Sequence, residues 1–126
     1  MKHLMVVAAG TGGHVMPGLA VAGELRRRGW SVSWLGTRAG MERALVEPHG
    51  IAFRAIDFSS LRGKGLKTLV FGGFLLLRAI WQSRKILRSD RPDAVFSTGG
   101  YVAVPAGMAA SSLGIPVVLL NPDAAP

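Results

Sequence analysis

Two glycine turns hold the residues best suited to chemistry. The first is Gly10-Thr11-Gly12-Gly13-His14, reached from the short apolar run Leu4–Ala8; the second is Thr98-Gly99-Gly100-Tyr101, reached from Ala94–Ser97. Each lies where a strand would hand over to a helix. Backbone N–H groups at a helix N-terminus make a ready anion site, above all for phosphate. A glycine turn lets such a ligand approach the main chain closely. His14 brings a group that titrates near neutral pH, which makes it the candidate general base. The spacing is not the dinucleotide fingerprint, because Val15 stands where its next glycine belongs, and no Lys-Ser/Thr follows to make a Walker loop. An ordinary strand-to-helix turn is also glycine-rich. Thr11 and His14, with Pro17 behind them in the expected first helical turn, favour a ligand site. Tyr101, the one tyrosine, either meets a ligand or packs, and its spacing leaves both open.

The elements that must position these turns alternate along the chain. Strands are expected at Leu4–Ala8, Ser31–Leu35 (ended by Gly36-Thr37), Ile51–Ile56, Ala94–Ser97 and Val117–Leu120. Helices are expected at Pro17–Arg28, Ala39–Glu47, Lys67–Ser89, with Gly72-Gly73 as a disturbance, and from about Val104 to Leu113. Such alternation predicts an α/β fold, a Rossmann-like parallel sheet flanked by helices, in one domain over 1–126. Ligands of such sheets bind at the carboxyl ends of the strands, where both turns fall. Two turns on one edge suggest a shared site for a large or multiply phosphorylated ligand.

Composition narrows the partners. Hydrophobic residues are 49% of the chain and no tract is of low complexity, which argues against disorder. There is no cysteine, so disulfides and thiolate chemistry are excluded, as in a protein of a reducing compartment. The N-terminus reads as a strand and not as a signal peptide. The net charge of +8 admits nucleic acid, anionic lipid or a phosphorylated substrate. Arg26, Arg27 and Arg28 suit the solvated C-terminal turn of a helix. The larger basic set (Arg62, Lys64, Lys67, Arg78, Arg84, Lys85, Arg88 and Arg91) surrounds the most apolar segment, from Leu66 to Leu87, an arrangement that favours lipid over nucleic acid. That segment is too short and too charged to span a bilayer. Its apolar residues go further round a helix than one core face needs. Lys67, Val70, Phe71, Phe74, Leu75 and Trp81 are therefore the candidate contacts with an anionic membrane surface.

Several segments together resemble the MurG family, the bacterial undecaprenyldiphospho-muramoylpentapeptide N-acetylglucosaminyltransferases. They are Gly10–His14 with Pro17-Gly18-Leu19-Ala20, Trp34-Leu35-Gly36-Thr37, Leu61-Arg62-Gly63-Lys64-Gly65, Gly99-Gly100-Tyr101-Val102 and Gly114-Ile115-Pro116-Val117-Val118. The resemblance implies the N-terminal, acceptor-side half of a GT-B glycosyltransferase, without the C-terminal donor domain, and inactive alone. The implied reaction transfers GlcNAc from UDP-GlcNAc to lipid I, with inversion, giving lipid II for peptidoglycan. It needs no metal or other cofactor. The implied place is the cytoplasmic face of the inner membrane, peripherally bound, with cell-wall synthesis and division proteins as further partners and no nucleic acid. By the same resemblance His14 is the base; Thr11, Gly12, Gly13 and Asp123 lie towards the donor; Gly99, Gly100 and Tyr101 hold the acceptor diphosphate; and the segment with Lys67 and Trp81 is the membrane patch.

The chain departs from the family pattern at two places. Ala9 stands for a glycine, and Leu120-Asn121-Pro122-Asp123 stands for His-Glu-Gln-Asn. An amide at 121 cannot accept the proton that a glutamate could. That loss motivates an alternative, a non-catalytic membrane-recruiting subunit of a two-chain glycosyltransferase. Half of a nucleotide-dependent oxidoreductase is a weaker third reading, since the glycine spacing is wrong and no acidic residue closes the second strand at Leu35-Gly36.

Overall fold

The structure, a computed structural model, describes residues 2–9, 12–38, 42–57, 66–99 and 102–119, the side chains of 12–14, 66–71 and 99 excepted. Five strands, β1 (His3–Ala8), β2 (Ser31–Thr37), β3 (Ala52–Ile56), β4 (Ala94–Gly99) and β5 (Val117–Leu119), form one sheet in the order β3-β2-β1-β4-β5. Every pairing is parallel. The helices are α1 (Gly12–Arg27), α2 (Glu42–Val46), α3 (Leu66–Asp90) and α4 (Ala103–Ser112), with a 3-10 turn at Glu47–His49. The expected Rossmann-like parallel sheet is therefore observed.

The apolar runs read as strands because a parallel sheet buries both faces. Successive residues of β1 serve opposite cores. Met5 and Val7 join Leu35, Ile56, Ala79, Leu87 and Ala106 under α3 and α4; Leu4, Val6 and Ala8 join Val15, Ala22, Trp34 and Val46 under α1 and α2. Trp34 is fully buried, and its indole N–H donates to the Ala8 carbonyl at 3.0 Å. Gly18 of α1 sits directly over this ring. A Cβ there would lie 2.7 Å from the Trp34 ring and 2.9 Å from Val6 Cγ1, so only glycine lets α1 pack this close to the sheet.

Several expectations about the elements are corrected, and β4 too runs past the expected Ser97 to Gly99. The first helix begins at Gly12, not Pro17, so Gly12 and Gly13 are already wound into its first turn. Pro17 therefore lies inside α1, where it has no N–H to offer the Gly13 carbonyl. β2 does not stop before Gly36-Thr37: Gly36 pairs with Ala55 and Thr37 with Ile56. The second helix is shorter than expected and passes into the 3-10 turn that contains Pro48; residues 39–41 lie outside the described set. The third helix runs unbroken through Gly72-Gly73. The arginines closing α1 are exposed as expected, with Arg28 on Glu24 at 3.1 Å and Arg26 on the His49 carbonyl at 2.6 Å.

Among the described residues β3 and β5 are the two edge strands of the sheet. Among the described residues β5 pairs only with β4, and its Val118 and Leu119, 54% and 71% exposed, turn to opposite faces.

Candidate functional site

All five strands run parallel, so their carboxyl ends meet on one edge. The register puts Ala8 beside Gly99, Val7 beside Leu35 and Thr37 beside Ile56. Connections from β1 lead towards β2 and β3, and those from β4 towards β5. The chain reverses direction between β1 and β4, the switch point at which open α/β sheets bind ligands. The chain leaves β1 after Ala8 and β4 after Gly99 at that point.

Gly12, Gly13 and His14 form the first turn of α1, and Gly99 is the last residue of β4. The side chain of His14, and Thr11, Gly100, Tyr101 and Asp123 entirely, lie outside the described residues. What is described favours an anion. The first turns of α1 and α4 hold no acidic residue, and the N-cap of α4, Val102, supplies no side-chain bond to its free amides. The N-termini of α1 and α4 thus point at the same edge, each worth a fraction of a positive charge.

A carboxylate does close the second strand, from a position that sequence reading missed. Glu42, fully buried at the start of α2, accepts hydrogen bonds from the Thr37 N–H and the Thr37 hydroxyl, both at 2.6 Å. It lies against Gly36, where an added Cβ would come within 2.9 Å of its Cγ. The carboxylate is thereby spent on the end of β2 and is closed to solvent. Its partner comes five residues earlier in the chain, and nothing in the spacing marks the pair.

A second cluster ties α3 to the same edge. The Asp57 N–H donates to Gln82 Oε1 at 2.8 Å, and the Gln82 amide returns a bond to Asp57 Oδ2 at 3.2 Å. Arg38 Nε meets Asp57 Oδ1 at 2.7 Å, and Arg78 reaches the Asp57 carbonyl at 3.4 Å. The Arg38 bond, then that of Gln82, hold the Asp57 carboxyl below its ordinary range, while the Asp57 bond raises Arg38. Lower down, Asp90 pairs with Arg54 of β3 at 3.1 Å. These two anchors set α3 antiparallel to the strands. Its buried positions among the described residues, Ala79, Ser83 and Leu87, all lie in the second half. At about 1.5 Å per residue, the stretch of α3 before Arg78 runs about 18 Å past the edge.

The expected membrane contacts divide. Phe74 and Trp81 are 63% exposed, and Leu77, 68% exposed, shares their stripe although the sequence reading did not select it. The spacing 74, 77, 81 was the available signal. Leu75 is half-buried and lies two residues round the helix from Leu77, beside the stripe. Lys67, Val70 and Phe71 belong to α3, with side chains outside the described set. Arg84, Lys85 and Arg88 are exposed beyond Trp81, and Lys85 Nζ lies 5.4 Å from the Trp81 ring centre. Among the described residues no helix is long and apolar enough to cross a membrane, and no group of His, Cys, Asp and Glu could hold a metal ion.

Known proteins share this arrangement. Residues 4–124 match the family described as the glycosyltransferase family 28 N-terminal domain. The chain is 55% identical, over 98% of its length, to a UDP-N-acetylglucosamine–N-acetylmuramyl-(pentapeptide) pyrophosphoryl-undecaprenol N-acetylglucosamine transferase of Methylibium petroleiphilum, of which it covers 35%. It is 51% identical, over 99% of its length, to a protein of the same name from a Janthinobacterium species, again covering 35%. The crystal structure of Acinetobacter baumannii MurG superposes with a TM-score of 0.82 at 44% identity, over 94% of this chain and 34% of that one. The chain thus spans about a third of the length of the curated relatives it matches.

Proposed function

This chain belongs to the glycosyltransferase family 28 N-terminal domains, and from that premise we propose that it is the acceptor-side half of an enzyme that transfers GlcNAc from UDP-GlcNAc to lipid I, forming lipid II. The observation that carries the reading is the meeting of two glycine turns at one switch point, in a chain about half identical to transferases of that name. In this reading His14 takes the proton of the acceptor hydroxyl. The amides of Thr11, Gly12 and Gly13, with Asp123, face the donor, and Gly99, Gly100 and Tyr101 receive the acceptor diphosphate. Inversion needs one displacement and one base; in this reading transfer is also metal-independent, and a chelator should leave the rate unchanged. The exposed stripe on α3 and the cations beyond it hold the domain on the cytoplasmic face of the inner membrane, where a lipid-linked acceptor is presented.

The experiment is a hybrid in which this chain replaces the matching third of the Methylibium petroleiphilum relative. GlcNAc transfer to a lipid I analogue within about 10²-fold of the parent supports the reading, since a misplaced site costs that much or more. A folded hybrid that binds vesicles but shows no turnover refutes it, and leaves the membrane-recruiting subunit as the better account.

A further inference from the structure

We infer that Arg38 and Arg78 form a clamp for the terminal carboxylate of the peptide carried by the acceptor, to one side of the turns that receive its sugar and diphosphate. The inference rests on the acceptor reading above and extends it to a part of the substrate that takes no part in the chemistry.

Three elements meet where β3 ends. Asp57 follows β3, Arg38 follows β2, and Arg78 and Gln82 lie one turn apart on α3. Both carboxylate oxygens of Asp57 are taken, Oδ1 by Arg38 Nε at 2.7 Å and Oδ2 by the Gln82 amide at 3.2 Å. Arg78 reaches only the main-chain carbonyl of Asp57, at 3.4 Å. Among the described residues no carboxylate pairs with Arg78, and Arg38 pairs with Asp57 alone. Two guanidiniums thus share one carboxylate, and the cluster keeps one positive charge in excess. Arg38 is held through Nε, which turns its two terminal nitrogens to a further acceptor. Both side chains are open to solvent, that of Arg38 62% exposed. With Asp57 and Gln82 fixing the arrangement beforehand, less side-chain freedom is lost when an anion arrives.

Distance selects the occupant. Neighbouring strands lie about 4.8 Å apart, so the ends of β2 and β3 stand about 7–12 Å to one side of the switch point between β1 and β4. A diphosphate seated at that point does not span the gap. A peptide does, since five extended residues reach up to about 17 Å. The relatives are named for an N-acetylmuramyl-(pentapeptide) pyrophosphoryl-undecaprenol, an acceptor with a tether of that length. A peptide joined to a muramyl group by its amino end keeps an ionised carboxylate at the other. Arginine is the side chain whose planar fork meets a carboxylate with two parallel bonds.

The hybrid is assayed in neutral detergent, free of anionic headgroups, on two water-soluble lipid I analogues, one whose peptide ends in a carboxylate and one whose peptide ends in the carboxamide. The amide should raise the acceptor KM about tenfold with kcat little changed, the mark of a contact made equally in the ground and transition states. In Arg38→Ala and Arg78→Ala the ratio of the two KM values should fall towards one, and Arg78→Lys, which keeps the charge but not the fork, should restore only part of it. A merely structural role would raise both KM values alike and leave their ratio. Equal KM values in the unsubstituted hybrid, or a ratio that survives in both alanine variants, overturns the inference while transfer continues and the proposed function stands. An unmoved ratio with weakened binding of phosphatidylglycerol vesicles assigns the two arginines to headgroups and overturns it as well. A hybrid that transfers to neither analogue refutes the proposed function, and the inference with it.

Discussion

Gly18→Ala and Gly23→Ala add the same methyl group to the same helix with opposite expected results. At Gly18 the new Cβ would stand 2.7 Å from the Trp34 ring and 2.9 Å from Val6 Cγ1, about 1 Å inside normal carbon contact. Neither neighbour can retreat, since both are fully buried and the indole is bonded to the Ala8 carbonyl. α1 must lift instead. Overpacking of this kind costs about 1–3 kcal/mol, and two contacts this close favour the upper half of that range. The exchange also gains helix propensity, up to about 1 kcal/mol, which leaves Gly18→Ala destabilised by about 1–2 kcal/mol. At Gly23 a Cβ meets nothing within 4 Å, so only the gain remains, about 0.4–1 kcal/mol of stabilisation. The two variants should differ by about 1.4–3 kcal/mol, read as urea midpoints at unchanged slope. In thermal melts that is a fall of about 4–8 °C for one and a small rise for the other. Equal midpoints, or a Gly18→Ala variant more stable than the parent, would show that α1 is not seated on Trp34 as described.

Other perturbations address the site. Glu42→Ala deprives a buried N–H and hydroxyl of their acceptor and leaves a cavity, at a cost of about 2–4 kcal/mol; Glu42→Gln keeps one acceptor oxygen and should lose less than half of that in the same urea assay. Asp57 has its carboxyl lowered in the folded chain, so its contribution is present above the ordinary carboxylate range and is lost as pH falls through the folded value. The stability difference between the parent and Asp57→Asn should therefore be level above about pH 5 and shrink below about pH 4. His14→Ala in the hybrid should cut transfer at least about 10²-fold while vesicle binding is kept; a near-normal rate would make His14 structural.

Much of this architecture is legible in the chain. Apolar runs closed by glycine mark the strands, because a strand buried on both faces needs no polar alternation. The period of α3 is likewise visible, since Phe74, Leu77 and Trp81 recur at helical spacing. What escapes is set by tertiary geometry. Gly12 and Gly13 read as a break because glycine is a poor helix former, yet the turn is wound. Glu42 carries no mark in the sequence, since its burial depends on β2 running on to Thr37. Leu75 and Leu77 are alike in the sequence, and only the seating of Ala79, Ser83 and Leu87 decides which of them meets solvent. That three turns of α3 overhang the sheet follows from the height at which Gln82 meets Asp57, which no local pattern encodes.

The edge at β5 bears on how the chain behaves in solution. A short parallel strand that, among the described residues, pairs on one side only and carries apolar side chains on both surfaces is a template for strand addition by another copy. No charge or proline in Val117–Leu119 deters such pairing. At high concentration the polypeptide should therefore grow into oligomers edge by edge, with light scattering rising while the far-ultraviolet spectrum stays native. A lysine at 118 would act as a gatekeeper against that growth.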